Sequence, residues 1–134
     1  MIVRLLLVAV AFAAVYGGIW LWRRPSRKLA HAHLDLDALG VEGPAIVQFT
    51  AVWCAPCRAA KPHLEEAARQ AEVSYGQVDV EVNPEVSSLY GIRSVPTIVV
   101  TDTAGHVRGH WTALPANGEI RDAAVRARDI AAHA

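Results

Sequence analysis

The sequence predicts an α/β domain, a mixed sheet flanked by helices, behind an N-terminal transmembrane helix. Three observations carry this. β-Branched and apolar runs at residues 45–49, 74–82 and 96–101 alternate with segments of good helix formers. Residues 5–22 contain no charge at all. The only two cysteines fall where the first apolar run meets the first helical segment. A chain of 134 residues has room for one domain whose core folds without disulfide staples, so the cysteines are expected to do chemistry rather than hold the fold.

The N-terminal run comes first. As a helix, its 18 residues from 5 to 22 extend about 27 Å, enough for the hydrocarbon core of a bilayer. Tyr16, Trp20 and Trp22 crowd its C-terminal end, where amphipathic rings favour the headgroup layer. Arg23 and Arg24 follow and should stop it. A cleaved signal peptide is the competing reading, with Ala11-Phe12-Ala13 as its small-x-small site. The apolar run continues well past Ala13 and grows more aromatic, which favours an uncleaved anchor. Residues 1–24 are therefore assigned to the anchor, 25–37 to a basic linker and 38–134 to the folded domain. Arg23, Arg24, Arg27 and Lys28 on one side outnumber Arg4 and the terminal amine on the other. By the positive-inside rule the domain faces the cytoplasm, the extracytoplasmic face being the alternative.

The same five basic residues hide an asymmetry. Total charge cancels at 13 basic against 13 acidic groups, but beyond Lys28 only 8 basic residues face all 13 acidic ones, a formal charge of −5. An anionic domain without clustered Lys and Arg is a poor nucleic-acid binder, and no nucleic-acid partner is expected.

Within the domain, residues 45–49 after Gly43-Pro44 fit a buried strand. Residues 58–71 are rich in Ala, Leu, Glu, Lys and Arg and predict a helix, kinked at Pro62. Residues 74–82 alternate toward Val78, Val80 and Val82 as a second strand. Asn83-Pro84-Glu85 reads as a helix start with Asn83 as N-cap, ending near Tyr90-Gly91. Residues 96–101 form a β-branched strand, Ala104-Gly105 a hairpin turn and residues 106–111 its partner. Residues 117–132 close the chain as an amphipathic helix with Ile120, Ala124 and Ile130 inward. His31 and His33 alternate as on one face of a strand and are read as surface residues; no ligand spacing joins the remaining histidines, and no metal site is assigned.

Trp53-Cys54-Ala55-Pro56-Cys57 is the chemical motif. The C-x-x-C spacing serves redox exchange or metal capture. Arg58 follows the second cysteine, which excludes the C-x-x-C-H of haem attachment, and no further pair of ligands follows for a structural metal. The element order puts Cys54 at the first turn of a helix, where unpaired N–H groups and the dipole favour a thiolate. Cys57 lies one turn deeper. The geometry assigns attack to Cys54 and resolution to Cys57, while Pro56 stiffens the loop between them.

These residues resemble the thioredoxin family over roughly residues 44–130. WCAPC is similar to that family's WCxPC site, Asn83-Pro84 to its NP segment, and Tyr90-Gly91-Ile92-Arg93-Ser94-Val95-Pro96-Thr97 to its YGIRxxPT segment. The resemblance implies a thioredoxin-like sheet, a cis Pro96 facing a redox-active Cys54–Cys57 disulfide, and Val95 offering backbone hydrogen bonds to an extended substrate. It implies a protein-disulfide reductase that needs no cofactor beyond its own disulfide, acts on disulfide-containing proteins, draws on a thiol electron donor and serves cell redox homeostasis. Three departures stand out. Gln48 occupies the place of a buried aspartate and Gln77 that of its lysine partner, removing the carboxylate that would take a proton from Cys57. Only about 15 residues precede residue 44 beyond the basic stretch, so the first strand–helix unit is abbreviated, with residues 35–40 forming at most one helical turn. Thr112 stands where a small glycine is usual, which would narrow the docking groove, and Trp111 beside it is either core or substrate surface. Against this enzyme stand two readings without turnover: a soft-metal module holding an ion through both thiols, and a redox sensor.

Overall fold

The computed structural model describes residues 1–22, 27–116 and 118–132. In chain order the elements are α1 (Ile2–Trp22), α2 (Arg27–Ala30), β1 (Ala45–Thr50), α3 (Ala55–Ala71), β2 (Ser74–Asp79), α4 (Pro84–Tyr90), β3 (Thr97–Thr101), β4 (Val107–Trp111) and α5 (Glu119–Ala132). The expected stop signal at Arg23 and Arg24, and Asn117 as a helix start, lie outside the described residues. α1 is a 21-residue helix of mean hydropathy 2.3, long and apolar enough to cross a membrane, and its apolar window is unburied.

The sheet order is β2-β1-β3-β4. β1 is central, parallel to β2 and antiparallel to β3, and all of its first five residues are buried. Parallel pairing requires a crossover, which α3 supplies. The pleat sends alternate residues to opposite faces. Ile46 and Gln48 therefore meet α3 and α5, while Val47 and Phe49 point the other way. The first face packs Ile46, Ile98 and Val100 on Leu64, Ala68, Ala124 and Ala127. The second packs Val47, Phe49, Val99 and Val78 on Leu29, Leu34, Leu36, Val41 and Tyr90.

That second face changes the reading of the expected linker over residues 27–37, residues 25 and 26 lying outside the described ones. Leu29, Leu34 and Leu36 lie in the core at no more than 7% exposure, although they were expected to be linker. The Leu34 N–H donates to the Gly105 carbonyl at 2.8 Å and the Val107 N–H to the Ala32 carbonyl at 3.2 Å, with His33 and His106 forming an isolated antiparallel bridge. Gly105 makes this possible: its φ is +90°, and a Cβ there would sit 2.2 Å from the Leu34 carbonyl oxygen. The imidazoles of His33 and His106, which sequence spacing does not connect, meet edge to face with centroids 5.0 Å apart. A single helical turn follows, closed by the Leu39 N–H on the Asp35 carbonyl at 3.1 Å, as expected for residues 35–40.

Three local expectations are corrected. β2 stops at Asp79 rather than Val82, because the Asp79 carboxylate accepts from the N–H groups of Glu81 (2.8 Å) and Val82 (3.3 Å) and turns the chain; Val82 is 74% exposed. Asn83 occupies the N-cap position of α4 without capping it, since its amide donates back to the Asp79 carbonyl. In α5, Ile120, Ala123, Ala124 and Ala127 face inward but Ile130 is 45% exposed. Arg128 already reaches the carbonyl of Ala71, the last residue of α3, so Ile130 has passed the surface it would pack on.

Candidate active site

The end of β1 runs through the buried Ala51 into a turn closed by the Cys54 N–H on the Ala51 carbonyl at 3.0 Å. Cys54 is the N-cap of α3, in extended conformation, and Pro56 stands in the first helical turn where a missing N–H costs nothing. The Cys57 N–H donates to Cys54 Sγ at 3.2 Å. Cys54 and Cys57 are joined in a disulfide with Cα atoms 5.3 Å apart. Both are buried, Cys54 at 2% and Cys57 at 0% exposure. Cys54 is thus nearly as covered as Cys57.

Around the disulfide, Ala51 shares the buried cluster, and Val80 and Val95 pack against it. Pro96, joined to Val95 by a cis bond, is buried at the start of β3. Trp53 is exposed beside the cysteines and donates from its indole to Glu81 at 2.7 Å. Arg58 donates to the Val52 carbonyl at 2.8 Å and pins the turn before Trp53. Thr112 is exposed in the bend after β4. Trp111 belongs to the core side: its ring packs against the first face and its indole donates to Glu119 at 3.1 Å.

Gln48 lies wholly buried beneath the cysteines, and its amide donates to the Cys57 carbonyl at 2.9 Å. That carbonyl can only accept, so the orientation of Gln48 is fixed by elimination. Its NH₂ faces Cys57 and its oxygen faces β2, where Gln77 donates at 3.1 Å and the Tyr75 hydroxyl at 2.6 Å. Gln77 sits directly opposite Gln48 in the parallel register and is itself exposed. Sequence reasoning missed Tyr75; the signal was its place two residues before Gln77, on the same face of the strand. Burial, helped by the nearby Glu65 charge and opposed by its hydrogen bond with Gln77, pushes the Tyr75 phenol up to about 12. The groups that Gln48 joins beneath Cys57 are thus amide and phenol.

This arrangement supports thiol–disulfide exchange. Once reduced, Cys54 would sit at a helix start with the Cys57 N–H already aimed at its sulfur, and such a position favours the thiolate. Cys57 is close enough to re-form the bond.

Comparison with known proteins agrees with the fold and the motif. The thioredoxin family model matches residues 28–121. The chain is 36% identical to a thioredoxin of Rhodospirillum rubrum over 76 residues, covering 55% of this chain and 73% of that one. It is 41% identical to thioredoxin 1 of a Nostoc species over 66 residues, covering 48% of this chain and 62% of the relative. Among solved structures, a mutant thioredoxin of Halobacterium salinarum superposes with a TM-score of 0.60 at 26% identity, covering 72% of this chain and 86% of that chain. Thioredoxin from Fasciola hepatica gives 0.54 at 29% identity, covering 69% and 88%. With the cysteine pair at the head of α3 and the family's sheet behind it, this chain belongs to the thioredoxin family, whose members are disulfide oxidoreductases.

Proposed function

We propose that this is a membrane-anchored protein-disulfide reductase. The observation that carries the reading is the Cys54–Cys57 disulfide at the N-terminus of α3, with the Cys57 N–H directed at Cys54 Sγ. In the reduced protein the Cys54 thiolate attacks one sulfur of a substrate disulfide, and the other substrate sulfur leaves as a thiolate. The resulting mixed disulfide is attacked by the Cys57 thiolate, which releases the second substrate thiol and re-forms Cys54–Cys57. Two electrons pass to the substrate, and a thiol donor restores the dithiol. Val95, which packs against the disulfide, the cis-bonded Pro96 that follows it and Thr112 in the bend after β4 are the residues assigned to substrate docking. α1 supplies the anchor through residues 5–22, and the basic residues behind it favour a cytoplasmic domain.

Turnover tests this. The reduced full chain in detergent should reduce a disulfide-bonded protein catalytically with an excess of dithiol, and Cys54→Ser should abolish the catalysis. Equal rates for the wild-type chain and Cys54→Ser would contradict the reading. Labelling of intact cells with a membrane-impermeant thiol reagent after mild reduction tests sidedness, and no labelling before lysis is expected.

A further inference from the structure

β2 leaves one edge of the sheet open. Among the described residues it pairs with β1 alone, and its phase is set at both ends by the Ser74 N–H on the Pro44 carbonyl and the Val80 N–H on the Thr50 carbonyl. In that phase the even-numbered residues bond to β1. Tyr75 and Gln77 turn their backbone N–H and C=O groups outward, as an edge strand does. None of the described residues ahead of β1 pairs with this edge: α2, the bridge to His106 and the single turn at residues 35–40 are placed elsewhere.

Alongside that edge runs a groove of about 390 Å³ between the turn and α4. Asp35, Asp79 and Glu85 line it, and none of the described lining residues is lysine or arginine. Its apolar wall is Leu39, Val86 and Leu89, of which Leu89 is 69% exposed. A second copy of this chain is a poor occupant, because two-fold pairing would bring three carboxylates against three of their own kind. A cationic strand satisfies both the open backbone and the charge.

We propose that the β2 edge binds an extended, basic segment of another polypeptide as an added strand. Its main chain bonds to Tyr75 and Gln77. Alternate side chains point to opposite faces, so one set enters the groove, where its basic heads reach Asp79 and Glu85 and its stems lie against Val86 and Leu89. Main-chain bonds supply the affinity in such strand addition, and the side-chain pockets supply the choice of partner.

Hydrogen exchange on the full chain in detergent tests this. In the free protein the amides of Tyr75 and Gln77 should exchange faster than those of Gly76 and Val78. A blocked peptide of alternating lysine and valine, at millimolar concentration, should slow exchange at Tyr75 and Gln77 by about tenfold or more. A peptide of alternating glutamate and valine should not, and Glu85→Lys should weaken the lysine peptide. The double variant Cys54→Ser/Cys57→Ser should bind it as well as wild type, which separates this surface from the redox reading. No protection by the lysine peptide, equal protection by the glutamate peptide, or protection already present in the free chain would each overturn the proposal.

Discussion

Gln48 presents a hydrogen-bond donor to the Cys57 carbonyl, and in the proposed cycle this leaves the Cys57 thiol without a carboxylate base from position 48. The amide is held by Tyr75 and Gln77 on one side and by the Cys57 carbonyl on the other, and nothing among these groups can accept a proton near neutrality. Resolution by Cys57 then depends on ionisation of the thiol itself, and its single-turnover rate should rise tenfold per pH unit below the thiol pKa. Gln48→Asp supplies a base. Stopped-flow measurement of mixed-disulfide release should show a several-fold faster step near pH 7 and a second inflection in the pH profile; an unchanged rate would contradict the role given to position 48. The same substitution buries a carboxylate, whose folded pKa rises above the unfolded value. Its cost therefore appears as pH rises past about 4 and is fully present once pH exceeds the folded pKa. Tyr75→Phe removes a donor without touching a base. It should cost about 1 kcal/mol in denaturant melts and leave the pH profile of resolution unmoved.

At the level of elements, the β3–β4 hairpin is the joint between the sheet and the segment before β1. Asp102, buried at 4% exposure, accepts from the Ala104 and His106 N–H groups at 3.0 Å each and from the Arg108 guanidinium at 2.6 and 2.8 Å. Burial pushes its carboxyl pKa up, but the Arg108 pair and the two backbone donors outweigh burial and hold it below the usual carboxylate value. A lowered folded pKa means stability that is present above the unfolded value near 3.9 and lost as pH falls through the folded one. Arg108→Ala should cost about 2 kcal/mol at pH 7, below the roughly 3–5 kcal/mol of a fully buried broken pair because Arg108 is partly exposed, and acid unfolding should move to higher pH. Gly105→Ala places a Cβ into the Leu34 carbonyl at a positive φ. It should destabilise the chain by about 2 kcal/mol or more and speed amide exchange at Leu34 and Val107, where the segment is latched.

Across the whole molecule, the sheet, its helices and the cysteine pair were legible because each rests on a local pattern: β-branched runs, helix formers, and C-x-x-C with proline between. What was not legible required knowledge of neighbours. Leu29, Leu34 and Leu36 read as linker because a basic stretch precedes them, yet the second face of the sheet needs a cover and they provide it. Tyr75 reads as a strand residue until the register places its hydroxyl on Gln48. Ile130 fits the helical stripe, but its burial depended on where α3 ends. The attack and resolution roles follow from position along α3 and are where the functional account is most exposed to test. The most direct measurement uses the full chain carrying Cys57→Ser, reduced, mixed with a disulfide-bonded protein and analysed by non-reducing mass spectrometry. The account predicts a stable mixed disulfide linked through Cys54, with none formed by Cys54→Ser under the same conditions. A Cys57→Ser chain that forms no adduct, or a Cys54→Ser chain that forms one as readily through Cys57, would contradict it.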